Sequence, residues 1–291
     1  MTPLTWRDRV LAAATRHVLR PILALPIPWQ VHRVGFSLFA PDPPSRNLLP
    51  EVAVDIAGVP GIAVAPSARG GTLLWLHGGG FVLGSPQGYR ALAHGLACRT
   101  GMRVIVPAYR KAPEHPFPAG LEDALAVARA LAAAGPFALG GDSAGGTLAL
   151  AVCAELLSGG KCPTQMALAS PAADLDPNRT LPAGVDEMLL AEPLLRRMVA
   201  DYLGGADPRD PRVSPIHADF TGAPPTFLQV ARAELLEWDA DAIAARLRAG
   251  GAPVRVEKVA GVPHDFQLFV DRVPAATAAV DRMAAFLRGE A

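Results

Sequence analysis

Cysteine is nearly absent. Cys98, Cys153 and Cys162 are too few and too scattered for a disulfide framework or a zinc cluster. A cytoplasmic setting and a chain without metal or organic cofactor are the expectations. Charge of one sign is also missing: 27 basic and 27 acidic side chains cancel and form no long run. A nucleic-acid partner would call for a basic stripe, and none is present. Nor is there an uninterrupted apolar stretch. Near the N-terminus an Ala/Val/Leu segment is broken by Arg16, His17 and Arg20. It therefore reads as an amphipathic helix over residues 5–20, not as a secretory core or a membrane span. No stable membrane insertion is expected, and a monomer or homodimer acting on a small molecule fits the neutral balance. No internal repeat is evident.

What is present is an apolar chain of 291 residues, rich in Gly, Pro and Ala, long enough for one large core with a smaller lobe. Pro21, Pro26 and Pro28 are expected to end the first helix, and residues 39–50, with four prolines, read as a linker. Short apolar runs at 52–56 and 62–65 suggest an antiparallel strand pair. From residue 72 on, strands at 72–77, 103–107, 137–139, 166–169, 226–230 and 253–259 alternate with helices at 87–99, 118–134, 144–157, 237–249 and 274–288. That alternation means a mostly parallel sheet covered on both faces. Residues 176–224 hold no clean strand, only a helix near 191–203. So long an excursion between sheet strands reads as an inserted lobe. The expected division is an N-terminal segment 1–48, a catalytic part 49–175, an insertion 176–222 and a second catalytic part 223–291.

Two segments carry chemistry. Gly141-Asp-Ser-Ala-Gly145, with a strand before it and an Ala/Leu-rich helix after it, is a nucleophile elbow. Small residues at 141 and 145 suit a tight strand-to-helix corner, which lifts the Ser143 hydroxyl out of the sheet. His77-Gly-Gly-Gly80 directly follows another strand. Three glycines in a row cost folding entropy, and they make sense where backbone N–H groups must approach an oxyanion closely. His77 is expected to order that loop and not to act as a base.

With these motifs stand Tyr109-Arg-Lys-Ala-Pro-Glu-His-Pro-Phe-Pro-Ala119, Ser170-Pro-Ala-Ala-Asp-Leu175, Ser214-Pro-Ile216 and Gly222-Ala-Pro-Pro-Thr226. Together they resemble the hormone-sensitive-lipase family of bacterial esterases, within the α/β-hydrolases. The resemblance runs from about residue 52 to the end. It implies an α/β-hydrolase fold: an eight-stranded, mostly parallel sheet flanked by helices, with a helical cap built from the N-terminal segment and the late insertion. It implies oxyanion donors at Gly79, Gly80 and Ala144, and hydrolysis of short- to medium-chain esters. Ala108 stands where the family usually has an acid, and Lys111 where Leu is common. Glu114 and His115 read as loop-ordering groups.

A serine nucleophile needs a base, and the order in this fold is Ser, acid, His. His264, on the loop after the last strand, fits that order, and the family match also falls on it. The rate should then fall as His264 gains a proton near neutral pH. The acid belongs on the loop after strand 226–230, where Glu234, Glu237, Asp239 and Asp241 compete. The family register selects Glu234 through Leu236, although Ala231 and Trp238 depart from the usual pattern. Asp265 reads as a local loop acceptor. Candidate pocket residues are Phe81 and Leu83 after the glycine loop and Leu181, Met188, Leu189 and Ile216 in the insertion. An amidase or peptidase shares such a triad, and a non-catalytic ligand-binding module shares the fold; the retained Ser, His and acid argue against the latter.

Overall fold

The computed structural model describes residues 4–290. Its centre is one eight-stranded sheet in the order β1-β2-β4-β3-β5-β6-β7-β8. The strands are β1 (Glu51–Ile56), β2 (Val59–Val64), β3 (Thr72–Leu76), β4 (Arg103–Pro107), β5 (Ala138–Asp142), β6 (Met166–Ala169), β7 (Thr226–Ala231) and β8 (Val254–Val259). Only β2 runs against its neighbours. Alternate residues of each strand face opposite layers. Leu73, Trp75 and Val104 pack toward helices α4 (Arg90–Thr100) and α9 (Pro274–Leu287). Leu74, Leu76 and Ile105 pack toward α5 (Ala119–Ala134), α6 (Ser143–Ser158) and α8 (Glu237–Ala249). The central strands are buried on both faces, which is why they read as short continuous apolar runs.

The N-terminal segment differs from the sequence expectation in two ways. Pro21 does not end the first helix. Here α1 (Trp6–Ala14) runs through a π-helical turn, Thr15–Leu19, into α2 (Arg20–Leu23). The Arg20 N–H reaches back to the Thr15 carbonyl, and Pro21 falls in the first turn of α2, where its missing N–H does least harm. A further helix, α3 (Trp29–Phe39), occupies residues to which the sequence assigns no element and ends at the start of the expected linker. Pro28 precedes it, a position where a fixed φ helps a helix to start.

These helices cover the carboxyl end of the sheet together with α7 (Glu192–Leu203) of the long excursion. Trp29 is buried against α7; its Nε1 donates to Asp201 at 2.6 Å and the Arg197 guanidinium lies 3.9 Å over its ring. Arg20 donates to the Glu187 carbonyl and Arg16 pairs with Asp186. N-terminal segment and insertion thus form one cap. Below it, the corner from β5 into α6 is closed by backbone alone. A Cβ on Gly145 would collide with the Leu76 carbonyl oxygen and come within 2.6 Å of the His77 carbonyl carbon.

Gly145→Ala is therefore expected to cost about 3 kcal/mol or more, because backbone cannot move aside as a side chain can. Gly35→Ala, in α3 with open space around its Cβ, is expected to be neutral or stabilising by about 0.5–1 kcal/mol. Urea denaturation of both variants checks the contrast.

Candidate active site

Ser143 is the first residue of α6 and sits at φ +48°. That left-handed conformation is costly for a residue other than glycine. The surrounding packing imposes it, with β5 paired on both sides and Gly141 and Gly145 pressed together at the corner. The corner also leaves the Ala144 N–H among the amides that a helix start does not satisfy internally.

The glycine loop is held beside this corner by a buried carboxylate. Asp142 accepts from Trp75 Nε1 at 2.8 Å, the Tyr89 hydroxyl at 2.5 Å and the Gly78 N–H at 3.1 Å. Burial and the neighbouring Asp265 push Asp142 well above the usual carboxylate range, against the pull of these donors. Gly79 and Gly80, at φ +112° and +58°, share one cavity with Ser143 and Ala144. His77 is fully buried, bonds its Nδ1 to the Gly78 carbonyl and stacks on Tyr109 at 4.2 Å. Burial pushes it down to about 3, so it is a neutral structural ring.

His264 lies on the loop after β8, and its Nδ1 is 3.0 Å from Glu234 Oε2. Both side chains are buried. The other acids of the β7 loop lie elsewhere. Glu237 accepts from the Ala233 N–H and pairs with Lys258. Asp241 pairs with Lys258 as well. Asp239, in the first turn of α8, is neither exposed nor a cap. It is buried, takes both N–H groups of Ala173 and Asp174, and binds Arg179 through both oxygens. Trp238 points outward at the surface of α8 and leaves the loop undisturbed. A contact without a sequence signal comes from the cap: Glu187 accepts from the N–H groups of Leu189, Leu190 and Leu235, fixing the residue after Glu234.

Asp265 is the main departure from the sequence reading. It adopts φ +54°, and this turns its carboxylate back onto the neighbouring ring, with Oδ2 3.1 Å from His264 Nε2. No aligned hydrogen bond reaches that nitrogen. Burial alone would push the imidazole down. The carboxylates of Asp265 and Glu234 overcome it and hold His264 well above the ordinary histidine value.

The cavity at Ser143 measures about 300 Å³ and is walled by apolar side chains. Phe81, Leu83 and Leu189 line it. Leu181, Met188 and Ile216 do not. Leu181 faces a separate small cavity beside Arg196. Met188 is buried off the cavity, whereas the next two residues, Leu189 and Leu190, line it. Ile216 lies in a 3-10 turn packed on α6 and α8, with its N–H bonded to Ala173. The chain bends at residues 188–189, and sequence alone does not say which side chains of such a bend face the cavity. The walls not anticipated are Leu19, Ile22, Leu23, Val31 and Phe36 of the N-terminal helices, and Met198 and Val199 of α7.

Among the remaining titratable candidates, Glu114 takes three hydrogen bonds from Arg33 and Gln30 of α3, and Arg33 holds its carboxyl down to about 2. His94 is buried between the Leu49 N–H and Glu51. His217 lies on a separate surface pocket near α6.

The electrostatics predict that His264, followed by NMR, titrates above the ordinary histidine range and that Asp265→Asn brings its titration to lower pH. An unchanged titration would show that the Asp265 carboxylate does not act on the ring.

Residues 73–268 match the family described as alpha/beta hydrolase fold. An acetyl-hydrolase of Streptomyces hygroscopicus is 40% identical over 233 residues, 77% of this chain and 78% of its own. An esterase of Acinetobacter venetianus is 33% identical over 84% of this chain and 83% of its own. Among solved structures, an esterase of the bacterial hormone-sensitive lipase family superposes with a TM-score of 0.88 at 31% identity, covering 99% of both chains. Sheet order, elbow, glycine loop and helical cap agree with these likenesses: the chain belongs to the α/β-hydrolase family, in its hormone-sensitive-lipase group of bacterial esterases.

Proposed function

We propose that this chain hydrolyses carboxylic esters with short to medium acyl chains through a covalent intermediate on Ser143. The observation that carries the reading is the buried Glu234–His264 hydrogen bond, lying on the same cavity as a serine held at a strained helix start. A residue held in a strained conformation by the packing around it points to function. Glu234 binds His264 through Nδ1, which assigns Nε2, faced in this structure by Asp265 Oδ2, to take the serine proton. Ser143 Oγ attacks the ester carbonyl as the neutral imidazole takes its proton. The oxyanion settles against the N–H groups of Gly79, Gly80 and Ala144. The alcohol departs with the proton from His264, and water, activated by the same ring, releases the acid. A small cavity with apolar walls suits a compact acyl group. The acetyl-hydrolase and esterase names of the relatives support the same substrate class. A cytoplasmic location belongs to this reading, supported by three free thiols, as does a monomer or homodimer.

Only the neutral imidazole accepts a proton. Since Asp265 and Glu234 raise His264, activity should climb with pH through a range above the ordinary histidine value, higher than the sequence alone suggested. Asp265→Asn should move that acid limb to lower pH, whereas a limb that stays in place removes Asp265 from the account.

Parallel assays with p-nitrophenyl butyrate and the matching anilide test the reading. Rapid ester turnover with little anilide cleavage is expected; silence toward both would favour a binding module, and equal rates an amidase. Glu234→Gln is expected to lower kcat by about 10⁴. Glu237→Gln should stay near wild type, and a crippled Glu237 variant beside an active Glu234 variant would reassign the acid. Leu189→Trp should change the butyrate-to-decanoate preference by roughly ten- to a hundredfold, since each pocket methylene is worth about 1–3 kcal/mol. Met188→Trp, off the cavity, should leave it alone.

A further inference from the structure

The outer face of the N-terminal helices is apolar. Of the large hydrophobic side chains exposed among the described residues, Trp6, Val10, Val18, Ile22, Leu25 and Val31 all fall between residues 6 and 31. Trp6 and Val10 are 69% and 57% exposed. Spaced at 6, 10, 18 and 22, the first four follow one side of the continuous α1–α2 helix and Leu25 lies just past its end, while Asp8, Thr15 and Leu23 turn inward. Ile22 and Val31 are exposed and also line the Ser143 cavity, so the apolar surface continues from the outside of the cap to the reacting serine.

The charges carried by this segment itself are almost all basic. Residues 4–40 hold five arginines and a single acid, Asp8. Asp8 is buried, accepts from Thr5 and the Ala275 N–H, and is not presented outward. Arg16 and Arg33 are matched by Asp186 and Glu114. Arg7 and Arg9 are exposed and make no ion pair among the described residues; Arg7 lies 5.5 Å over the Trp6 ring. A tryptophan, a line of aliphatic residues and unpaired arginines along one helix are what an anionic lipid–water interface accepts: the rings and chains enter the acyl boundary and the guanidinium groups meet the headgroups. A second copy of the chain would bring the same basic rim against itself.

We infer that the outer face of α1 and α2 docks the protein on anionic lipid surfaces, with the cavity mouth facing the lipid. Docking is independent of the chemistry at Ser143; that the lipid surface supplies ester substrate rests on the function proposed above.

Co-sedimentation with vesicles of phosphatidylcholine and phosphatidylglycerol tests it, using full-length Ser143→Ala protein so that binding is read apart from hydrolysis. The protein should partition onto the mixed vesicles and weakly onto pure phosphatidylcholine. Val10→Glu/Val18→Glu should lower partitioning at least about tenfold, and Arg7→Gln and Arg9→Gln about fivefold each. In an otherwise wild-type chain, Val10→Glu/Val18→Glu should leave circular dichroism and p-nitrophenyl acetate turnover unchanged. Absence of binding by the parent protein, or undiminished binding by the glutamate variant, overturns the inference. Equal binding to both vesicle types overturns its anionic part. If light scattering shows that the glutamate pair splits a dimer that ignores vesicles, the face is a self-association surface and the inference fails.

Discussion

The site depends on the buried carboxylate of Asp142. It stands one residue before Ser143, at the end of β5, yet its three donors come from β3, the glycine loop and Tyr89 just before α4. Through it the elbow and the glycine loop become one rigid body. Without such a tether a run of three glycines would have many conformations, and donors aimed at a developing charge would lose the pre-organisation that makes them effective. The close approach of Gly145 to the Leu76 and His77 carbonyls supplies the matching steric constraint. Polar convergence and backbone contact together explain why the segments 77–80 and 141–146 tolerate so little side chain.

Those constraints are why this part of the molecule was legible in the sequence. Glycines at 78–80, 141 and 145 are demanded by local geometry, and local geometry leaves a trace in composition. The strands β3 to β7 were legible because burial on both faces demands unbroken apolar runs. Glu234 was narrower: four acids crowd one loop, and the family register was needed to choose among them. The structure separates them by partner, since Asp239 is committed to Arg179 and the 173–174 backbone while Glu237 and Asp241 meet Lys258. The cap was legible only as an excursion. Its inner surface depends on which side chains of an irregular, bent segment face down, and α3 was hidden by the prolines before it. Leu189 faces the cavity and Met188 does not, although the two are chemically similar.

Asp265 illustrates the same limit for electrostatics. Its side chain meets the imidazole only because its backbone takes a left-handed conformation, and nothing in the order of residues announces that. The consequence is a histidine flanked by two buried carboxylates, with Asp142 nearby as a third acid in the same field. Burial disfavours each charge singly, and the imidazolium is what stabilises the group. The two carboxylates thus raise the histidine above its ordinary value, while the chemistry needs its neutral form.

The central claim is that Ser143 is the group acylated. The most direct measurement is intact-mass and peptide analysis after treatment with a fluorophosphonate. The account predicts one adduct per chain, on the peptide containing Gly141-Asp-Ser-Ala-Gly145, and its loss in Ser143→Ala. An adduct on another serine, or labelling that survives that substitution, would contradict it.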